Sequence, residues 1–300
     1  MSAIKLINPQ GFYNNYYGHS HFYLSQIIKY FNTNNENVIV YFAGDSTLDN
    51  KHWIDDKYYY PAINSYENIF KPTIMKGDFS YYLNKEFVER NYENYKVVNC
   101  AREASAFSDK NELCEQDKII LNNIKEQDIL IVSIGGNDLA LLPSFSILIN
   151  FITLNYFNRS STIDDISGSA WGLQSLVKSF KEGITKYIKK LVAKTKPSKI
   201  IVCMFYYPDA NWVSSWCGFF LDISGYTLNQ KRVQAIIRQI YNLAIKEIKI
   251  RHVEMRYFPM FEYLDPNNSN DYIGRVEPSE QGTAKMSKGL VDLILSQSIN

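Results

Sequence analysis

The chain lacks three features that would each have pointed to a class of function. It has no surplus of one charge: 32 Lys and Arg stand against 31 Asp and Glu, a formal charge of +1. Composition therefore offers no electrostatic footprint for nucleic acid or for an anionic membrane surface. It has no Cys-x-x-Cys pair. Cys100, Cys114, Cys203 and Cys217 are scattered, three of them inside apolar or helical patterns where a thiol acts as a small core residue, so disulfides and a zinc site are not expected. Its first residues do not read as a signal peptide, since Met1 to Pro9 carries one basic residue and no sustained apolar core, and the expected compartment is cytoplasmic or another reducing intracellular one. No internal repeat and no linker rich in Pro, Gly or Ser divides the chain.

What is present is a repeating strand and helix pattern. Val38 to Ala43, Tyr95 to Ala101, Asp128 to Ile134, Lys199 to Phe205 and Val253 to Phe258 are apolar runs with little polar alternation, as expected of strands covered on both faces. Helical spacing fills the gaps, over residues 109–126, 171–194 and 229–249 and again after Asp78, which reads as an N-cap. The last helix is expected to open at Pro278, a residue suited to a first turn. Residues 47–77 read as one long irregular segment. The whole predicts an α/β fold: a three-layer α/β/α sandwich on a five-stranded parallel sheet of flavodoxin-like type. Residues 1–37 read as an extension packed on a single domain, 38–300.

In such a sheet the loops leaving the carboxyl ends of strands share one edge, where ligands bind. The first exit is Gly44-Asp45-Ser46, a serine delivered at a strand end, as a nucleophile would be. The third is Gly135-Gly136-Asn137-Asp138: the glycines permit a tight turn, and the asparagine amide can donate to a developing oxyanion. Either motif alone also suits a plain turn. Their joint occurrence at two strand ends is what carries weight.

These two motifs, with the order of the strands, resemble the SGNH hydrolases, also called the GDSL esterase and lipase family, from about Val38 to the carboxyl end. The resemblance implies Ser46 as nucleophile and Asn137 as oxyanion donor, with Asp45, Gly135, Gly136 and Asp138 shaping the site wall. The family's second-block glycine, another oxyanion donor, has Ala101 as its nearest counterpart. The family ends in Asp-x-x-His-Pro-Ser followed by glycine. Here Pro278, Ser279 and Gly282 align, but Glu277 stands at the histidine position and Gly274 at the aspartate position. Glu277 is then expected to handle protons, alone or with a histidine from elsewhere. His52, six residues after Ser46, is the first candidate.

The expected activity is hydrolysis of a carboxylic ester or acyl group on a small-molecule substrate, with no metal or organic cofactor implied. The uncharged stretch Leu139 to Asn158 and the loop Trp212 to Leu221 are expected to line an acyl pocket, and the former reads as site wall or buried helix rather than a transmembrane segment. Nucleic acid is not an expected partner, and protein partners stay open. The alternative, favoured by the missing Asp and His, is a catalytically silent SGNH-like protein serving as a binding or structural module in a larger assembly.

Overall fold

In the computed structural model, which describes residues 6–107, 110–140, 154, 158, 160–163, 169–211, 215 and 217–297, one parallel sheet is built from five strands. β1 (Val38–Gly44), β2 (Tyr95–Asn99), β3 (Ile129–Ser133), β4 (Lys199–Met204) and β5 (Glu254–Pro259) lie in the order β2-β1-β3-β4-β5. Seven helices matter to the argument: α1 (His21–Phe31), α2 (Phe79–Glu89), α3 (Glu115–Asn123), α4 (Gly136–Ala140), α5 (Leu173–Leu191), α6 (Gln230–Leu243) and α7 (Glu280–Leu295).

Alternation along the strands sorts the core into two layers. Ile39, Tyr41 and Ala43 of β1 join Val98, Leu130 and Val202 in packing against α1, α3, α5 and α6. Val40 and Phe42 join Val97, Ile131 and Ile201 against Phe79, Leu83 and Phe87 of α2 and Met286, Leu290 and Ile294 of α7. Each Val, Leu, Ile, Phe or Met side chain among them contributes on the order of 1.5–3 kcal/mol by leaving water. Both faces being covered is why the strands read as unbroken apolar runs.

The sheet order is the flavodoxin-like one, as expected. From β1 the chain passes to β2 on one side, while β3 lies on the other, so the β1/β3 edge is the topological switch point where crevices form. Asp78 caps α2, its side chain accepting from the Tyr81 amide at 2.9 Å. The expected irregular segment 47–77 instead holds a 3-10 turn, Asn50–His52, and an antiparallel pair of short strands, Tyr59–Pro61 and Ile74–Lys76. Pro278 does not open the last helix. It sits in a two-residue strand, Glu277–Pro278, paired antiparallel with Tyr272–Ile273, and Ser279 caps α7 by accepting from the Gly282 amide at 3.2 Å. A serine side chain can satisfy an orphan helix donor and a proline ring cannot. No helix among the described residues is long and apolar enough to cross a membrane.

Candidate active site

The chain leaves β1 in contact with β3. Gly44 has φ +130°, a conformation costly for other residues, and a Cβ there would lie 1.7 Å from the Ser133 carbonyl oxygen. The next residue is fixed from both ends. The Asp45 amide donates to that Ser133 oxygen at 3.0 Å, while its carboxylate accepts from the Thr47 amide (3.1 Å), the Thr47 hydroxyl (2.7 Å) and the Gly135 amide (3.2 Å). Burial pushes the Asp45 pKa up to about 6, against these donors. Asp45 thus clamps the β1 exit to the β3 exit, and Ser46 is presented between them.

At the β3 exit, Gly135 has φ +126°, and a Cβ there would lie 2.7 Å from the Phe180 ring. Asn137, in the first turn of α4, donates through Nδ2 to the Ser105 carbonyl at 2.8 Å, leaving its second amide hydrogen for another acceptor. Asp138 accepts from the Phe107 amide at 2.7 Å. The pair ties the loop after β2 to the start of α4.

Ser46, Asn137, Asp45, Gly136 and Glu277 line one cavity of about 100 Å³. The rest of its wall is largely apolar and includes Leu139, Phe205, Phe220, Leu221, Val233 and Ile237. Phe220, Leu221 and Cys217 come from the end of the 212–221 loop and the helix Gly218–Ile223; residues 212–214 and 216 lie outside the described residues. Most of the 139–158 stretch lies outside them as well, and Leu139 is the part of it seen at the cavity.

Four expected residues, Gly135, Asp138, His52 and Ala101, are not among those lining this cavity. His52 is exposed at the end of its 3-10 turn, edge-on to Tyr16 (ring centroids 4.7 Å apart) and Trp53 (5.4 Å), and it lines a separate open cleft with Asp55, Asp56 and Lys76. The Ala101 amide is already engaged, donating to Asn99 Oδ1 at 3.0 Å. The glycine-like backbone of this loop falls three residues on, at Ala104 with φ +57°. Among the described residues, no hydrogen bond engages the backbone amide of Ser46 or of Ala104.

Glu277 is held from both sides: the Tyr206 hydroxyl donates to the Val276 carbonyl at 2.6 Å, and Asn50 Nδ2 donates to the Pro278 carbonyl at 3.2 Å. The Glu277 side chain is 1% exposed. Its burial, then the fields of Glu103 and Asp45, raise its pKa well above the ordinary carboxylate value. Glu103, which motif reading did not single out, is 4% exposed. It accepts from the Trp53 indole at 3.3 Å, and burial and nearby Asp49 push its pKa up to about 8. Asp49 is itself paired with buried Lys51 at 2.7 Å. Tyr16, from the amino-terminal segment, has its pKa pushed up to about 12 by burial and by the charges of Glu103 and Glu277. The signal available in the sequence was a lone acid two residues beyond Ala101, in a stretch otherwise rich in small residues.

The sheet order is flavodoxin-like, and Gly-Asp-Ser at the β1 exit and Gly-Gly-Asn-Asp at the β3 exit keep the resemblance to the SGNH, or GDSL, hydrolases. Similar solved structures include a Bacteroides ovatus protein named for its likeness to GDSL lipases (11% identity, 86% of this chain and 54% of that one, TM-score 0.45). Others are a variant of an acetyl xylan esterase from Geobacillus stearothermophilus (14%, 88% and 99%, 0.44) and an aryl esterase from Mycobacterium smegmatis (10%, 86% and 98%, 0.40). The chain spans about half the length of the Bacteroides protein. No protein-family model and no curated protein matches the sequence. Likeness at this level says nothing about substrate, and the site's own residues carry the functional reading.

Proposed function

We propose that the chain hydrolyses a carboxylic ester through an acyl intermediate on Ser46, with Glu277 as the proton-transfer group. The observation that carries this reading is that Ser46, Asn137 and buried Glu277 line one and the same largely apolar cavity. An ordinary carboxylate is a weak base for a serine hydroxyl, and one whose pKa is raised by burial and neighbouring acids is a stronger one.

In the proposed cycle Ser46 Oγ attacks the ester carbonyl while Glu277 takes its proton. The free hydrogen of Asn137 Nδ2 and the Ser46 amide donate to the oxyanion. Glu277 passes the proton to the departing alkoxide, leaving acyl-Ser46. Water then attacks, Glu277 takes its proton, and that proton returns to Ser46 Oγ as the acid leaves. The proposed substrate is a small ester whose apolar part enters the cavity.

The second reading is the catalytically silent binding module. It is favoured by the chemistry of the cavity wall, which among the described residues includes no histidine. Labelling with a fluorophosphonate, together with turnover of short p-nitrophenyl esters, decides between the two: an adduct lost in Ser46→Ala supports hydrolysis, and no Ser46-dependent adduct supports the silent module.

A further inference from the structure

The 3-10 turn Asn50–His52 carries His52 away from the cavity, but its first residue turns back toward the strand that bears Glu277. Asn50 is fully buried, and its side chain joins three segments. Nδ2 donates to the Pro278 carbonyl at 3.2 Å and to the Thr283 hydroxyl at 3.0 Å, while Oδ1 accepts from the amide of Phe79, the first residue of α2, at 3.0 Å. The flipped amide would set its oxygen against the Pro278 carbonyl and its nitrogen against the Phe79 amide, so one orientation alone satisfies all three. Backbone support for Glu277 is thin, since its strand is two residues long and pairs with one equally short. Tyr206 holds the Val276 carbonyl on one side of Glu277 and Asn50 holds the Pro278 carbonyl on the other. Asn50 alone of the two comes from the segment that presents Ser46. It follows Ser46 by four residues. The turn between them is closed by the Leu48 and Asp49 amides on the Asp45 carbonyl, both at 3.1 Å, and by Asn99 Nδ2 on the Leu48 carbonyl at 3.0 Å.

We propose that Asn50 is the positioning residue of this site, its side-chain amide tying the strand that carries Glu277 to the turn that presents Ser46. Neither the turn after β1 nor the strand Glu277–Pro278 belongs to the five-stranded sheet, so the sheet does not fix the separation of the two residues. Asn50 fixes it from the Ser46 side, through the carbonyl next to Glu277 and the first turn of α7. Alignment of this kind matters to rate, because a misplacement of about 1 Å can cost on the order of a hundredfold. Asn50 is not among the residues lining the cavity, so it acts on the alignment of Ser46 with Glu277 and leaves the surface that a substrate meets unchanged.

This inference rests on the ester-hydrolysis reading for its kinetic arm, and a hydrogen-exchange arm stands apart from it. Asn50→Asp keeps the shape and the acceptor for the Phe79 amide but loses the amide donors; Asn50→Ala loses them without adding a charge. Both should lower kcat at least about tenfold with KM within about twofold of the wild type. Thr283→Val breaks the second Asn50 bond and spares the one to Pro278, so it should cost stability while kcat stays within about twofold. Folded Asn50 variants with wild-type kcat, or a Thr283→Val protein that loses as much kcat as they do, overturn the positioning role. In exchange, backbone amides of residues 272–279 should open at least about tenfold faster in the Asn50 variants than in the wild type or Thr283→Val, and unchanged protection overturns the tie. The wild type alone gives a further reading by NMR: the Asn50 side-chain amide protons should exchange far more slowly than those of free asparagine, and exchange at the free rate overturns the tie without any variant. A wild type with no esterase activity sinks the ester-hydrolysis reading and the kinetic role, while exchange still decides whether Asn50 holds the Glu277 strand.

Discussion

The Gly44 Cα and the Ser133 carbonyl oxygen are packed so tightly across the β1/β3 edge that no side chain fits between them. Ser46 owes its position to this contact, because the Asp45 amide binds the same oxygen. Gly44→Ala places a methyl carbon where the Ser133 oxygen stands and adds strain at φ +130°. Chemical denaturation should show a loss of more than about 3 kcal/mol, or failure to fold. A variant of wild-type stability would show that the edge can open without cost.

Glu277 and its protonation state govern the expected pH profile. A base must be ionised to accept the Ser46 proton, and the Glu277 pKa is raised above the ordinary carboxylate value by burial, Glu103 and Asp45. Ester hydrolysis should therefore fall off with acidification at a higher pH than protonation of a free glutamate would impose. Glu277→Gln should lower kcat at least about a hundredfold and remove that acid limb. Retention of both rate and limb would take Glu277 out of the mechanism.

Asn137 is expected to act on the transition state more than on binding. Its Nδ2 is anchored by the Ser105 carbonyl and has one hydrogen left. Asn137→Ala should reduce kcat by about a hundredfold or more with a much smaller change in KM. A loss confined to KM would make Asn137 a substrate-binding group.

The same acids set the response of stability to pH. For a carboxyl whose pKa is higher folded than unfolded, the folded state holds more protons, so stability is full below the unfolded value and declines as pH rises toward the folded one. Glu103 extends that decline to about pH 8. Below the ordinary histidine range buried His19 pulls the other way, because burial lowers its pKa and the folded state resists its charging. Tm measured by calorimetry should fall from neutral pH to about 8, and Glu103→Gln should flatten the decline. A Tm that climbs over this window in the wild type contradicts the burial of protonated Glu103.

The sheet and the two motif loops were legible because each is local. A strand covered on both faces writes an apolar run, and Gly-Asp-Ser and Gly-Gly-Asn-Asp sit directly at strand ends. Other features depend on contacts between distant segments. Glu103 is buried against the Trp53 indole, 50 residues away in the chain, a contact made only in the folded state. His52 looked near Ser46 in sequence, yet the turn Asn50–His52 carries it to another cleft. The Ala101 amide looked free until its own strand neighbour, Asn99, proved to hold it. The start of α7 at Glu280 depended on which residue could cap it, and Ser279 did so in place of Pro278.

The central claim is that Ser46 is a nucleophile activated by Glu277. Its most direct test is intact-mass spectrometry after incubation with a fluorophosphonate, on the wild type, Ser46→Ala and Glu277→Gln. A single adduct on the wild type, none on Ser46→Ala and labelling slowed at least about a hundredfold in Glu277→Gln is the expected result. A wild type that stays unlabelled, or a Ser46→Ala protein labelled as fast as the wild type, would contradict it.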